Sequence, residues 1–568
     1  MLVAGRRRAL LIAIAASVIL STLFIITQPE LVRFELSLVW NSRADEVRAA
    51  FLHAYRGYQR YASGRDELRP VSNESVNNFN GWGVTLIDGL DTMWIMGLYG
   101  EFYDAMPFIA NATFALNESE YAPFFETVIR YLGGLLSAYA LSNETILLSR
   151  ADDLGQKLLP VFNTSSGMPM YAVNTVNGRV RQGWAPGSVL YAEAMSCQME
   201  YKYLAHLTGR AEYFEKVDAI MDIVARAPVK EGMFPTRWSL QTAVPQNYQF
   251  SVGALADSAH EYLLKQWLLS SRVESKAKDL YLRTVSSILE HLLYLSPTRH
   301  LLYVTDAETS HQNFTSPSHV FEHLSCFLPG LLTLGAHTLL SASDLSNEQR
   351  QLHQWAAEGL ANTCWITYAD HISGLGPDEV RFSSLDFVFS DDAAAYVPKG
   401  AQVSEERMGR LLRGKWLDHV KEWENADRPG GIPPGVRDPE PVLNGQRDYL
   451  NNKAGYLLRP ETVESFYLLY RTTGDIKWRE RGWTIFKAIQ HETRTPSGYA
   501  SIYTVEQSPS PKKDEMPSFF MAETLKYLYL LFREEDIIPL DKWVFNTEAH
   551  PLPVFEWSAW EKTKYGIS

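Results

Sequence analysis

The stretch FYLLYRTTGDIKWRERGWTIFKA, residues 466–488, predicts one helix, a Thr-Gly stop and a second helix that opens with an aromatic side chain. Residues 201–223, YKYLAHLTGRAEYFEKVDAIMDI, repeat this arrangement. Glycine suits the left-handed backbone that ends many helices, so both segments predict a helical hairpin with a tight turn. Repeated hairpins of this kind favour a fold in which helix pairs stack in a ring or an array.

Helical periodicity continues over almost the whole chain. Strand-like alternation is scarce and short, so we predict an all-α fold. No flexible linker divides residues 45–398, whereas residues 399–453 are rich in proline, glycine and charge. This region predicts an insertion, either a flap near a binding site or an inert surface loop. The predicted helical segments lie around residues 45–61, 85–100, 124–141, 188–207, 211–226, 252–270, 277–295, 322–341, 347–369, 461–473, 478–491 and 518–533.

The composition is that of a protein with a large core and an acidic balance of charge. The chain has 568 residues, of which 46% are hydrophobic and 12% aromatic, and a formal net charge of −13. Because it contains no long basic run, we expect no nucleic-acid partner. Many aromatic and carboxylate side chains suit a neutral polyhydroxylated ligand or a cation.

The N-terminus carries an apolar run preceded by three arginines. The uncharged residues 9–26 come close to the length that spans a bilayer, and the basic flank favours a cytosolic N-terminus. A cleaved signal peptide is the alternative, because AIAAS offers small residues. The predicted segments are a cytosolic tail (1–8), a transmembrane signal anchor (9–26), a stem (27–44) and a lumenal domain (45–568).

Two further signals agree with a secretory compartment. Asn-x-Ser/Thr sequons occur at Asn73, Asn111, Asn117, Asn143, Asn163 and Asn313. The chain has three cysteines, so two could form a disulfide in an oxidising lumen, and spacing alone does not assign the pair.

Several predicted helices begin with carboxylates. In LLRPETVESFYLLYR, Pro460 suits the first helical position, and Glu461 and Glu464 share one face. These acids could simply complement the helix dipole. If helix ends converge, however, they would supply the two carboxyl groups that glycosidases use for acid and base chemistry. Other acids at such positions are Glu126, Glu193, Glu200, Asp257 and Glu523.

Long motifs in one order give the chain a family resemblance. They are TLIDGLDTMWIMGL, FETVIRYLGGLLSAY, ADSAHEYLLKQWL, HLSCFLPG, LLRPETVESFYLLYR, SFFMAETLKYLYLLF and VFNTEAHPLP. From about residue 45 to 555 the chain resembles the class I α-mannosidases, the calcium-dependent α-1,2-mannosidases of glycoside hydrolase family 47. The resemblance implies an (α/α)7 barrel of inner and outer helices. It also implies hydrolysis of terminal α-1,2-linked mannose from high-mannose N-glycans, with inversion.

The resemblance also implies roles for individual residues. Glu126 matches the general acid, thought to act through a water, Glu461 the general base, and Asp257 a third catalytic carboxylate. Thr547 matches the Ca²⁺ ligand, which binds through its hydroxyl and its carbonyl oxygen. Cys326 and Cys364 match the family disulfide, which leaves Cys197 free. Further pocket positions are Asp88, Arg130, Glu193, His323, Arg459, Glu464, Phe519, Glu523 and Glu548.

Two departures from the family pattern bear on specificity. Leu255 stands two residues before Asp257, where enzymes of the endoplasmic reticulum type usually carry arginine. Leucine resembles the Golgi-type and fungal enzymes, so we expect broad trimming from Man9 towards Man5. Asp378 stands where the family usually has glutamate. We expect a monomeric, single-pass type II protein of the Golgi or endoplasmic reticulum membrane.

Two alternatives remain at this point. The segment HVFEH, residues 319–323, fits the H-x-x-E-H pattern of zinc peptidases, which needs both histidines one turn apart on a helix. A mannosidase-like protein of glycoprotein quality control would recognise glycans with little catalysis. Because the three catalytic carboxylates and the cysteine pair are all present, the enzyme hypothesis is preferred.

Overall fold

The computed structural model describes residues 29–229, 232–309, 315–383, 414–443 and 445–567. Helices form most of it. They are α1 (Pro29–Tyr61), α2 (Val84–Asp88), α3 (Leu90–Ile95), α4 (Tyr99–Ala110), α5 (Phe124–Glu126), a π-helical turn (Thr127–Leu132), α6 (Gly133–Ser142), α7 (Thr145–Leu158), α8 (Tyr191–Met195), α9 (Gln198–Thr208), α10 (Ala211–Arg226), α11 (Asp257–Leu269), α12 (Ser275–His291), α13 (Leu328–Thr338), α14 (Asn347–Ala369), α15 (Trp416–Asn425), α16 (Glu461–Thr473), α17 (Lys477–Glu492), a second π-helical turn (Phe520–Thr524), α18 (Leu525–Phe532) and α19 (Ala559–Tyr565).

Helices that follow one another along the chain pack together as pairs. The predicted hairpins form at α9–α10 and α16–α17, where Gly209 and Gly474 take left-handed backbone with φ of 70° and 73°. Each of these glycines donates its N–H to a carbonyl four residues earlier, at 2.8 Å. The other consecutive pairs are α3–α4, α6–α7, α11–α12 and α13–α14. A further pair joins helices that are distant along the chain, α1 and α18.

One member of each pair also contacts a member of the next pair. This series runs α3, α6, α9, α11, α13, α16 and α18, and the π-helical turn before α18 contacts α3. The side chains of α11, α13 and α18 are buried almost throughout, as expected for helices covered on all sides. The mostly buried series therefore lies inside the fold, with the partner helices α4, α7, α10, α12, α14, α17 and α1 packed around it.

The helix predictions hold best where local stop signals are strong. The observed bounds of α14 and α16 coincide with the predicted 347–369 and 461–473. Helix α14 begins at a capping box formed by Ser346 and Gln349, which is a purely local device. The prediction missed α7, α15, α19 and most of α4. It also joined residues 85–100 into one segment, where the structure has two short helices and the start of α4.

The expectation of an all-α fold is wrong in one respect, because short strands connect the helices. The described residues form small antiparallel sheets of two or three strands. The strands are Glu67–Arg69, Glu74–Val76, Ala122–Pro123, Ala172–Val173, Val180–Arg181, Ser188–Leu190, Arg237–Ser239, Gln249–Phe250, Leu293–Leu295, Leu302–Val304, Ala307–Thr309, Thr315–Pro317, Val320–Glu322, Glu379–Phe382, Tyr449–Lys453, Arg494–Thr495, Gly498–Tyr499, Trp543–Phe545 and Pro551–Pro553. With two to five residues each, they are too short to produce a readable alternation.

Several predicted segments fall on residues that the structure does not describe. The anchor at 9–26, the sequon at Asn313 and residues 399–413 of the insertion lie outside the described ranges. Within the described residues, no helix has the length and apolarity needed to cross a membrane. Of the expected stem, residues 29–44 are helical and continue directly into the rest of α1.

The described part of the insertion packs on the helices. Trp416 donates its indole N–H to the carbonyl of Pro434 at 2.9 Å. The buried carboxylate of Asp448 accepts backbone N–H groups from Thr298 and Arg299 at 2.8 and 2.7 Å. Residues 449–453 pair with the strand Glu379–Phe382, so this part of the chain is integrated into the fold.

The cysteine and sequon assignments fit the structure. Cys326 and Cys364 form a disulfide with a Cα–Cα distance of 6.0 Å, and Cys197 is buried and free. The five sequon asparagines within the described residues are all exposed. These are Asn73, Asn111, Asn117, Asn143 and Asn163.

Candidate active site

The starts of several helices meet at one cavity of about 330 Å³. Eight carboxyl groups and two guanidinium groups line it, so it is strongly acidic. The predicted site residues in its wall are Glu126, Arg130, Glu193, Leu255, Asp257, Arg459, Glu461, Glu464, Phe519, Glu523, Thr547 and Glu548. The convergence of these acids on one cavity, which a sequence cannot show, therefore distinguishes them from ordinary helix-capping residues.

Three predicted site residues do not line the cavity and instead contact residues that do. Asp88 is fully buried, with Oδ2 at 3.8 Å from Nη1 of Arg130. His323 contacts Glu461, and Asp378 accepts a hydrogen bond from Nε of Arg459 at 2.6 Å. Asp378 therefore forms an ion pair with one of the two guanidinium groups of the cavity wall.

Local backbone features aim the acids into the cavity. Asp257 and Glu461 are the first residues of α11 and α16, and Glu193 lies in the first turn of α8. Arg130 and Glu523 both lie in π-helical turns. Such turns are rare and concentrate at functional sites, because the extra residue changes where a side chain points.

Glu461 is held by a hydrogen-bonded relay. Nδ1 of His323 lies 2.7 Å from Oε2 of Glu461, and Nε2 lies 2.6 Å from the hydroxyl of Tyr368. Burial keeps the Tyr368 hydroxyl protonated by raising its pKa, so it donates to Nε2. Burial by itself would raise the pKa of Glu461, but the His323 hydrogen bond and the Arg459 charge outweigh burial and lower it.

Arg130 is shared between several acids. Its Nε donates to Glu126 at 2.8 Å, and Nη1 contacts Glu548. Burial opposes its charge, yet the surrounding carboxylates raise the pKa of Arg130. The guanidinium carbon lies 5.8 Å from the ring centre of Phe519, which covers it on the cavity side.

Two other acids in the wall have a raised pKa, which favours their protonated form near neutral pH. Burial raises the pKa of Asp257 to about 7, and nearby Glu261 adds to this effect. Burial together with the charge of Glu126 raises the pKa of Glu193 to about 7. A backbone N–H opposes this effect at each acid, that of Ser258 at Asp257 and that of Leu190 at Glu193.

The floor of the cavity consists of Glu464, Glu523 and Glu548, and it has more carboxyl groups than the neighbouring cations can balance. Burial raises the pKa of Glu464 to about 8, although Lys265 lies 3.7 Å away. Burial likewise raises the pKa of Glu548 to about 8 and holds the pKa of Glu523 well above its usual range. A bound cation or a set of hydroxyl donors would relieve this excess of negative charge.

Thr547 lies in a tight turn between the strands Trp543–Phe545 and Pro551–Pro553. The side chain of Asn546 organises this turn, since its Oδ1 accepts the N–H groups of Glu548 and His550 at 2.9 Å. The hydroxyl of Thr547 donates a hydrogen bond to Oε1 of Glu261 at 3.1 Å. Within the described ranges, no three His, Cys, Asp or Glu side chains are grouped so as to hold a metal by themselves.

The zinc-peptidase alternative is wrong, because residues 319–323 do not form a helix. His319 has φ of 57° and precedes the strand Val320–Glu322. The pattern ends at His323, which begins a 3₁₀ turn and contacts Glu461 instead. Glu322 accepts the backbone N–H of Ala254 at 2.7 Å and so supports the loop before Asp257.

Glu261 is the main site residue that the sequence reasoning missed. It lines the cavity one helical turn after Asp257 and contacts both Lys265 and Thr547. Its spacing from Asp257 was a usable signal, because residues four apart share a helix face. Glu200 does not line the cavity, and its carboxylate accepts from Tyr262 and Asn546 behind the wall.

Known proteins match the chain over nearly its whole length. Residues 50–554 match the family described as Glycosyl hydrolase family 47. The chain is 37% identical to the rat endoplasmic reticulum mannosyl-oligosaccharide 1,2-alpha-mannosidase, over 92% of this chain and 70% of the relative. It is 34% identical to the Drosophila melanogaster mannosyl-oligosaccharide alpha-1,2-mannosidase IA, over 91% and 68%.

A solved structure agrees with the sequence matches. The alpha-1,2-mannosidase from Trichoderma reesei superposes with a TM-score of 0.74 at 30% identity, covering 90% of this chain and 99% of its own. The match therefore includes the helices and strands that build the acidic cavity. The chain belongs to glycosyl hydrolase family 47.

Proposed function

We propose that this protein hydrolyses terminal α-1,2-linked mannose residues of high-mannose N-glycans, with inversion and dependence on Ca²⁺. The convergence of eight carboxyl groups on one cavity of a family 47 fold carries this proposal. A sugar rich in hydroxyl groups can donate to many carboxylates at once. The names of the rat, fly and fungal relatives support the same activity.

The helices form an (α/α)7 barrel in this proposal. The series α3, α6, α9, α11, α13, α16 and α18 would be its inner ring. Support comes from contacts between successive members and from the return contact between the second π-helical turn and α3. The cavity would then lie inside the ring, where the starts of α8, α11 and α16 meet.

Glu461 is the general base. A base must be ionised, and the hydrogen bond from His323 stabilises the carboxylate. Glu461 takes a proton from the attacking water while the water oxygen bonds to the anomeric carbon. The bond from that carbon to the leaving oxygen breaks in the same step, so the configuration inverts.

The leaving oxygen needs a proton, and two groups in the wall suit this task. Glu126, fixed by Arg130, is the general acid and acts through a water molecule. Arg130 shares its positive charge among Glu126, Glu548 and Asp88. Asp257 holds a proton near neutral pH and is the third catalytic carboxylate. Arg459 and Phe519 pack against each other in the cavity wall and orient the sugar.

The residues present suit a hard cation. Oxygen is the donor that Ca²⁺ prefers, and the wall has an excess of carboxylates over guanidinium groups. Thr547 would hold the ion through its hydroxyl and carbonyl oxygens, with waters and sugar hydroxyls completing the shell. When bound, Ca²⁺ would orient these oxygens and offset the negative charge of the floor.

Leu255 supports broad trimming from Man9 towards Man5. Its side chain lines the cavity, and its left-handed backbone, with φ of 81°, lies two residues before Asp257. The segments 1–8, 9–26 and 27–44 are the tail, signal anchor and stem of a monomeric type II protein of the Golgi or endoplasmic reticulum. Exposed sequons support a lumenal position for the domain from residue 45.

Incubation of the full chain with Man9 N-glycan, followed by mass spectrometry, tests the proposal. We expect loss of hexoses that stops with chelator, resumes when calcium is restored and fails in Glu461→Gln. Glu215→Gln, which changes an exposed carboxylate on α10, is the matched control and should trim normally. Man9 that is bound but left intact by folded, calcium-loaded protein would instead support the glycan-recognition alternative.

A further inference from the structure

A row of buried charged groups lies behind the acidic cavity. Lys526, Asp91, His550 and Asp88 come from three separate parts of the chain, and the side chains of all four have no exposed surface. Neither composition nor any local motif predicts this arrangement. Since isolated charges are costly to bury, four of them in contact call for an explanation.

Opposite charges alternate along the row. Nζ of Lys526 lies 2.8 Å from Oδ1 of Asp91, whose Oδ2 lies 2.8 Å from Nδ1 of His550. Nε2 of His550 lies 3.1 Å from Oδ1 of Asp88. Because each imidazole nitrogen faces a carboxylate oxygen, both nitrogens donate, and the ring is the cation between two anions. Burial opposes this charge, but the two aspartates raise the pKa of His550 to about 9.

The row of buried charges ends at Arg130, which contacts the proposed general acid, Glu126. Oδ2 of Asp88 accepts a hydrogen bond from Ser518 and lies 3.8 Å from Nη1 of Arg130. Arg130 in turn contacts Glu126 and Glu548. Asp88 is thus shared by His550 on one side and Arg130 on the other, so the charge of His550 sets how strongly Asp88 attracts Arg130.

The same histidine belongs to the turn that carries Thr547. Its backbone N–H donates to Asn546 at 2.9 Å, and Lys526 donates to the carbonyl of Ala549 at 2.6 Å. The His550 ring also packs against the backbone of α6. A Cβ at Gly133 would lie 2.9 Å from the ring, so glycine is required for this approach.

We propose that His550 is a positioning residue that fixes Arg130, and through it Glu126, together with the Asn546–His550 turn. It rests on the proposed function, since it assigns Glu126 a role in catalysis. His550 supplies a cation that Asp88 and Asp91 share. Without it, Asp88 becomes an unshared anion and draws Arg130 away from Glu126.

Kinetics of His550→Gln in the full chain test this role. We expect kcat for Man9 to fall about 10²-fold, with KM nearly unchanged, because a displaced acid affects the reaction more than binding. In a Glu126→Gln background, the same substitution should lower kcat by less than about twofold, since the group it positions is absent. His353→Gln, which changes a buried histidine of the outer helix α14, is the control and should leave kcat unchanged.

Three outcomes would overturn the inference. They are an unchanged kcat in His550→Gln, an equal further loss in the Glu126→Gln background, and an unmoved Arg130 in a crystal structure of His550→Gln. If wild-type protein does not cleave Man9, the proposed function fails and the Arg130 position alone decides about His550. If His550→Gln does not fold, Lys526→Gln replaces it, with an expected loss of about tenfold in kcat, and an unchanged kcat again overturns the inference.

Discussion

The two proposed catalytic carboxylates share one cavity but are supported in opposite ways. Glu461 rests on a short relay of His323 and Tyr368, with a disulfide close behind it. Glu126 rests on Arg130, which leads into a row of buried ions. The hydrogen bond to Glu461 stabilises the ionised form that a base needs. The arrangement around Glu126 instead divides one cation among several acids.

The disulfide belongs to the Glu461 side of this comparison. Cys326 lies in the same 3₁₀ turn as His323, and Cys364 lies one helical turn before Tyr368 on α14. It therefore links covalently the two elements whose side chains form the relay. The Glu126 side has no such bond among the described residues, and its acids are linked through ion pairs with Arg130 instead.

The largest effect is expected from removing the shared cation. Arg130→Met leaves Glu126, Glu548 and Asp88 without their partner, so kcat/KM for Man9 should fall about 10³-fold. The free energy of unfolding should fall by about 3–5 kcal/mol, as when one partner of a buried ion pair is deleted. Denaturant unfolding and Man9 kinetics measure both quantities.

Arg210→Met is the control for this substitution, because Arg210 pairs with Asp152 at the surface. Its free energy of unfolding should stay close to that of the wild type, because exposed ion pairs contribute little to stability. Equal stability losses in the two variants would contradict the view that the Glu126 side is held by charge.

The next effect concerns the relay. In His323→Asn the hydrogen bond that stabilises ionised Glu461 is lost, so the pKa of Glu461 rises. A base works only above its pKa, so the acidic limb of the pH profile of kcat/KM should move to higher pH. At pH 6 we expect a loss of about 10–100-fold, recovered in part at pH 8. An unshifted acidic limb would mean that His323 does not tune the base.

A smaller effect on rate is expected from the disulfide. Cys364→Ser opens a link between residues separated by 38 positions, so the free energy of unfolding should fall by about 3–4 kcal/mol. Because the relay elements then shift, kcat should fall a few-fold as well. Cys197→Ala is the control for a cysteine outside the bridge, and thermal unfolding compares the two. Full activity at a lowered melting temperature would show that the bridge stabilises the fold without serving the relay.

The smallest effect on rate is expected from a substitution of Leu255, which lines the same cavity as Glu126 and Glu461. Leu255→Arg places a guanidinium group at the cavity wall, where it can bind sugars of one branch and reject others. The first cleavage should slow only slightly, while trimming stalls near Man8 instead of continuing towards Man5. Mass spectra of the glycan over time decide this, with Leu255→Met as the control. Continued trimming to Man5 by the Leu255→Arg variant would show that residue 255 does not determine specificity.

Much of the fold followed from local signals. Helices α14 and α16 were predicted to their ends, because Ser346 forms a capping box and Gly474 takes left-handed backbone. The short strands were missed, since a two-residue strand exists only through its partner on another segment. The zinc-peptidase alternative required a helix at residues 319–323, but the strand Val320–Glu322 pairs there with the strand Glu379–Phe382.

The sequence by itself therefore determined the helical hairpins, the cysteine pair and which acids begin helices, since these depend on neighbours along the chain and on matches to a family. Only the tertiary structure brought Glu126, Asp257 and Glu461 into one wall and revealed Glu261 beside them. It also raised the pKa of Asp257 and lowered that of Glu461. A carboxylate's pKa depends on burial and on cations such as Arg130 and His550, which reach it from hundreds of residues away.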